Sequence, residues 1–262
     1  MSHHDAERLD RHAYTDSFVH RLDPRGKVLG TLVFIITVVS YPKYAVAPLV
    51  PFVIFPMTMA ILGFVPVGLL LKRILVALPF VVFVGIFNPL LDSSPMLVVG
   101  SWEISGGWVS FISLLVRGLL CISSAVVLIA TTSMPRIAEA LSALKVPSAL
   151  VAQLHLLYRY MFVLTDESRR MNRARQMRSA DRSAPLKVAV GMMSTLLVRT
   201  IDRSESIWRA MTARGFDGKL KTPAKMKWRM KDSLFLGGMV LFCIFLRFVP
   251  VTQYLGKVGT NW

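Results

Sequence analysis

Two short arginine motifs are the residues of this 262-residue chain best suited to specific chemistry with a partner. One is Ala174-Arg175-Gln176, with Arg178 close behind, and the other is Ala213-Arg214-Gly215-Phe216. Each falls at the C-terminal end of a helix that the sequence pattern predicts. A guanidinium presents five N–H donors in a planar fork that grips a carboxylate through paired bonds, so arginines at helix ends suit an acidic groove on another protein. The same placement has a plainer reading: cations in a last turn offset the negative end of the helix dipole, and a charge run is a solvated face. Residue types alone leave both readings open.

Other reactive constellations are missing from the chain. It has no His-Glu-x-x-His, no Walker lysine loop and no Cys-x-x-Cys, and its apolar runs hold no paired carboxylates. That points away from an enzyme and from a pump driven by intramembrane acids. Cys121 and Cys243 lie in apolar runs and read as small core residues rather than a disulfide or metal site. Ser2-His3-His4 would form an amino-terminal copper- or nickel-type chelate if the initiating Met were removed, but a solvated tail is the simpler reading. His12, His20 and His155 are unclustered, so no metal site is assigned.

Three further positions draw notice. Arg117 falls near the middle of an apolar run, where an unsatisfied charge costs at least ~2.5 kcal/mol, so it is predicted to face protein, within the bundle or toward a partner subunit. Arg247, near the end of another run, is expected to snorkel. Asp23-Pro24-Arg25 precedes the first apolar run. Proline biases Asp23 toward an extended backbone. Asp23 then either marks a helix start or pairs with a basic residue of the helices that carry the two arginine motifs.

The elements that must position these residues follow from a charge boundary. Formal net charge is +16, yet mean hydropathy is +0.54, so cations and apolar residues are segregated. Residues 28–132 are nearly all apolar, whereas 133–232 hold twenty Lys/Arg against eight Asp/Glu. Residues 1–27 carry five of each and resemble no cleavable signal peptide. A membrane-crossing helix needs ~20 apolar residues. The pattern predicts spans at Val28–Tyr41, Tyr44 to about Leu62, Ile74–Leu91, Trp108–Thr132 and Leu234–Pro250, with Lys72-Arg73 interrupting between the second and third. Pro48, Pro51 and Pro56 make the 42–71 boundaries the least defined. Residues 92–107 are polar, with two β-prone pieces around Gly100-Ser101 that suggest an external loop or small hairpin.

The basic block reads as helical. Ser133 and Pro135 open a short helix to about Lys145, and Pro147-Ser148 a longer one to about Ser179, striped by Leu150, Leu154, Leu157, Met161 and Leu164. Ser183 and Pro185 open a third, stopped near Gly215. The fold class is therefore all-α and integral to a membrane: an N-terminal segment (1–27), four spans (28–132), a basic helical domain (133–232), and a last span with a tail (233–262). The positive-inside rule puts the N-terminus and 133–232 in the cytoplasm. Nucleic acid is not expected, for the cations are spread along helices with no reading motif. Contact with anionic lipid fits as a secondary role.

These features resemble a known family over nearly the whole chain. Leu22-Asp23-Pro24-Arg25-Gly26-Lys27, Phe87-Asn88-Pro89-Leu90-Leu91, Tyr158-Arg159-Tyr160 with Glu167, and the two Ala-Arg motifs are together similar to the transmembrane T component of energy-coupling-factor (ECF) importers, cobalt-type CbiQ family. The resemblance implies a non-catalytic scaffold in an inner-membrane ABC importer of prokaryotes, serving cobalt transport and cobalamin biosynthesis. It implies two ABC ATPase subunits that hold ATP and Mg, a separate substrate-binding membrane subunit and a small accessory membrane subunit. It carries ATPase docking to Arg175 and Arg214 on coupling helices, with Ala174, Gln176, Arg178, Ala213 and Gly215 around them. It makes Asp23, Pro24, Arg25 and Arg117 structural or subunit-contact candidates, and assigns no cofactor to this chain. Gln176 stands where the family's glycine is usual, which puts the local turn in question. Nickel or a vitamin is the alternative cargo, and a stand-alone channel or enzyme the distant alternative.

Overall fold

The computed structural model describes residues 17, 19–91, 95–99, 102–178, 186–218 and 228–248. The His pair at 3–4, the Gly100-Ser101 turn, Ser183, Pro185 and the tail from Pro250 lie outside them. The chain divides into two compact units, one holding residues 134–225 and the other 4–133 with 226–262. The described residues are helical apart from one small hairpin.

In the apolar unit, α1 runs Pro24–Val39, earlier than the apolar run itself, because Asp23 and Pro24 start it. The Asp23 side chain accepts the Arg25 N–H at 2.9 Å, and Pro24 occupies a first-turn position where no N–H is needed. The expected second span is not one α-helix. Ala47–Val53 is a 3-10 helix, with Pro51, which has no N–H to add to a helical ladder, inside it. α2 (Ile54–Leu62) follows, with Pro56 in its first turn. α3 (Val67–Gly85) carries Lys72 and Arg73 inside it. They do not break the chain as expected; the break is Gly63–Pro66, where Phe64 adopts φ 49° and Pro66 is extended.

The five-residue α4 (Phe87–Leu91) comes next. β1 (Pro95–Val99) then pairs antiparallel with β2 (Trp102–Ser105). α5 spans Gly106–Thr131 and α9 spans Met230–Phe248. Among the described residues, Val67–Pro89 and Gly106–Thr131 are long and apolar enough to cross a membrane.

The core of this unit is aromatic. Phe34 lies 4.6 Å from Phe55 and 5.9 Å from Phe52 between ring centroids, and Tyr41 and Phe242 meet Phe52 edge-on. Leu49, Val38, Val127 and Cys243 close around them. On the outside, Leu75, Phe80 and Phe83 of α3 are each at least 65 % exposed. So large an apolar face suits a lipid environment rather than water.

Helix contacts here depend on small residues. Gly26 and Gly30, four apart on α1, face α9: a Cβ on Gly30 would lie 3.5 Å from the Phe235 ring and 3.6 Å from Met239. On α5, a Cβ on Gly118 would come within 2.8 Å of Val81 of α3. Close approach at such positions is how helices associate where lipid removes the hydrophobic drive.

In the basic unit, α6 covers Met134–Ala143, α7 covers Ser148–Arg178 and α8 covers Leu186–Ala213. α6 ends in a left-handed cap at Lys145 (φ 65°), whose N–H reaches Ser142 O at 3.2 Å while Val146 N–H reaches Leu141 O at 3.1 Å. Pro147 then opens α7.

Candidate coupling site

α7 is ~46 Å long and α8 ~42 Å at ~1.5 Å per residue, and α8 buries none of its residues. Half-buried Met171 of α7 and Ala189, Met192 and Leu196 of α8 lie along the pair, and polar and aromatic contacts join it. Glu167 of α7 accepts from Arg199 of α8 at 2.5 Å. Arg203 of α8 lies over the Tyr160 ring, 5.8 Å from its centroid, and Arg159 flanks the same ring at 5.7 Å. Tyr160 meets residue 203 and Glu167 meets residue 199, so the helices run antiparallel past one another. Such exposed contacts are each worth ~1 kcal/mol or less.

Beyond the Glu167–Arg199 crossing lies an open groove of about 680 Å³, lined by Arg170, Ala174, Arg175 and Arg178 of α7, Val188 of α8, and both crossing residues. Arg175 is half-buried at its edge and donates through Nε to Asn172 Oδ1 at 3.3 Å. Ala174, Gln176 and Arg178 are exposed. Gln176 sits within the helix, which continues to Arg178. No turn is made at that position, so no glycine is needed there.

The second motif is built differently. α8 stops at Ala213 and Arg214 is its cap. Gly215 takes φ 75°; its N–H reaches Thr212 O at 2.9 Å, and Phe216 N–H reaches Met211 O at 3.0 Å. This double bond pattern closes a helix through a left-handed residue, which glycine adopts without a Cβ penalty. The Phe216 ring meets Trp208 edge-on at 6.3 Å, fixing the turn. Arg214 is thereby exposed on a rigid helix end, beside carbonyls that favour a cation.

The two motifs lie on opposite sides of the crossing. Arg175 is ~12 Å along α7 from Glu167, and Arg214 is ~22 Å along α8 from Arg199, in the other direction. Among the described residues, no group of three His, Cys, Asp or Glu side chains could hold a metal. Glu139 of α6 is buried, and burial holds its carboxyl above the usual carboxylate range, with His155 and Arg136 countering in part.

The remaining candidates belong to the apolar unit. Arg117 lies inside the bundle: its Nη2 donates to the Pro42 carbonyl and, at 3.0 Å, to Ser113 Oγ. Arg247 does more than snorkel. It stacks 4.4 Å over Tyr41 and donates to Ser40 O at 3.4 Å, while Tyr41 OH donates to Leu246 O at 3.1 Å. The two arginines pin one corner, 40–42. Asp23, Pro24 and Arg25 form the start of α1, with Asp23 as its cap.

Two residues there escaped the sequence reading. Asp232 is 3 % exposed. One of its oxygens accepts the Arg229 N–H at 2.8 Å and the other the Asp23 N–H at 2.7 Å. It caps its own helix and ties it to the start of α1. The Arg229-x-x-Asp232 spacing, with an acid at the third helical position, was the available signal. Lys27 reads from sequence as a boundary cation, but it is 1 % exposed and donates through Nζ to Thr131 O at 2.8 Å. No local pattern marks that contact, which spans 104 residues.

Comparison with known proteins bears on these motifs. Residues 15–224 match the model of the CbiQ family, described as cobalt transport protein. The energy-coupling factor transporter transmembrane protein EcfT of Streptococcus thermophilus is 27 % identical over 247 residues, covering 86 % of this chain and 92 % of that one. The protein of the same name from Bacillus subtilis is 27 % identical over 255 residues, covering 89 % and 94 %. An uncharacterized protein of Methanocaldococcus jannaschii is 25 % identical over 241 residues, covering 87 % and 81 %. The family match takes in both arginine motifs and most of the chain, which belongs to the CbiQ cobalt transport protein family, the transmembrane T components of ECF transporters.

Proposed function

We propose that this chain is the coupling scaffold of an ATP-driven cobalt importer. It crosses the cytoplasmic membrane five times, through α1, the 3-10/α2 pair, α3, α5 and α9, with its N-terminus and residues 133–232 in the cytoplasm. Arg175 and Arg214 dock into acidic grooves on two ABC ATPase subunits, which hold ATP and Mg. Closure of those subunits on ATP moves α7 and α8, and that motion reaches a separate membrane subunit that binds and releases the ion. The chain itself performs no hydrolysis.

The observation that carries this reading is the placement of the two arginines at far ends of one antiparallel helix pair. Two separate cationic ends suit two partner subunits better than one acidic ligand. A surplus of cations on the unit steers an acidic partner surface into place. The family description favours cobalt. Relatives named EcfT carry no ion in their names, so nickel or a vitamin is the second reading.

Affinity purification of the tagged chain, co-expressed with the proteins encoded beside its gene, tests the proposal. Recovery of ABC ATPase subunits and a second membrane protein is expected, with ATP-dependent cobalt(II) uptake once the complex is in vesicles. Recovery of the chain without any ATPase overturns the coupling role. ATP-dependent uptake of nickel(II) but not cobalt(II) overturns only the cargo.

A further inference from the structure

The chain leaves the apolar unit after Ser133 and re-enters it at Met226. These two crossings are the only covalent paths by which movement of the 134–225 unit can reach the spans. Thr131, shortly before the first, and Asp232, shortly after the second, are both bonded to the short segment Asp23–Lys27.

The outgoing path is held by Lys27. Its Nζ donates to the carbonyl of Thr131, the last residue of α5. That carbonyl is one of the four a helix end leaves without an intrahelical donor, and it carries the negative end of the dipole. Burying a cation costs several kcal/mol unless it is bonded, so an apolar residue would be the cheaper filler. A snorkelling lysine would extend to water; this one turns inward. Thr132 and Ser133, next along the chain, are also buried, at 1 % and 4 % exposure.

The return path is held by Asp232. A single carboxylate satisfies the cap N–H groups of two helices, Arg229 for α9 and Asp23 for α1. Asp23 closes the loop by accepting from Arg25 N–H. One turn farther on, Gly26 lets α1 lie against the Asp232 backbone; a Cβ there would sit 3.8 Å from Asp232 O and 4.0 Å from Trp228. Gly30 continues the contact along Phe235 and Met239.

We infer that Lys27 and Asp232 are positioning residues for energy coupling: they lock the end of α5 and the start of α9 to the start of α1, so that displacement of the helical block moves α1, α5 and α9 as one body. This rests on the coupling role proposed above. A cap and a buried lysine used only for stability would alter assembly. A transmission knot alters how much transport each ATP yields.

The test uses the full complex, reconstituted in vesicles, with cobalt(II) uptake and ATP hydrolysis measured on the same preparation. Lys27→Met removes the bond to Thr131 O while keeping a linear side chain. ATPase recovery is expected to stay at the wild-type level, with uptake per ATP falling clearly below the wild-type ratio. Asp232→Asn keeps the volume but offers one acceptor to two N–H groups, and a smaller fall in the same ratio is expected. An unchanged ratio in both Lys27→Met and Asp232→Asn overturns the inference. So does loss of ATPase recovery in both, which would make the knot an assembly feature. A wild-type complex without ATP-dependent uptake contradicts the coupling role itself and is distinguished by that control.

Discussion

At the residue scale, the two arginine motifs look alike in sequence and differ in structure. Arg175 projects from a continuing helix, whereas Arg214 is the last residue before a left-handed glycine turn. The expected consequence is a position-specific response to the residue that follows each arginine. Gly215→Ala places a Cβ in open space yet forces φ 75° on an L-residue, costing about 1–2 kcal/mol. The cap then loosens and Arg214 loses its fixed direction, so ATPase recovery in co-purification should fall. Gln176→Ala, inside α7, should change stability by less than about 0.5 kcal/mol and leave recovery unchanged. Equal effects from the two substitutions would contradict this assignment of roles. The resemblance raised the question of a turn at Gln176; in the structure the helix simply passes through.

At the element scale, helix approach in the apolar unit is set by where glycine meets bulk. Gly118 of α5 opposes Val81 so closely that an added Cβ would sit 2.8 Å from it. Gly118→Ala should therefore force the helices apart at a cost of about 1–3 kcal/mol, read as a lowered melting midpoint in detergent. Gly30→Ala is expected to be tolerated, since its Cβ would meet Phe235 and Met239 at ordinary contact distance. The reverse ranking would show that the α1–α9 contact is the tighter one.

Helix positions were legible wherever apolar or capping signals were local. Pro147-Ser148 marks the start of α7, Asp23-Pro24 that of α1, and the β-prone pieces on either side of Gly100-Ser101 are the paired strands β1 and β2. The prolines of the second run did not reveal that Ala47–Val53 is 3-10, because that outcome depends on which carbonyls neighbours satisfy. Nor did Lys72-Arg73 mark a break; α3 passes through them. The inward turn of Lys27 and the bond from Asp232 to the start of α1 were hidden for a different reason: each joins residues more than a hundred positions apart.

At the scale of the whole molecule, the charge boundary in the sequence corresponds to two compact units. The apolar one has an aromatic core and an apolar exterior, and the basic one has long helices with little buried surface. Helices left this open are suited to gripping other proteins, and the two arginine ends are where that grip is expected. Arg117 and Arg247, by contrast, spend their charge on the 40–42 corner of the apolar unit. Double charge reversal, Arg175→Glu with Arg214→Glu, tests the coupling role most directly when ATPase subunits recovered with the membrane-inserted chain are quantified. The chain is expected still to insert while recovery drops about ten-fold or more, as when paired charges are turned into repulsion. Wild-type recovery and wild-type uptake in that variant would contradict it, and would leave the two arginines as ordinary helix-end cations.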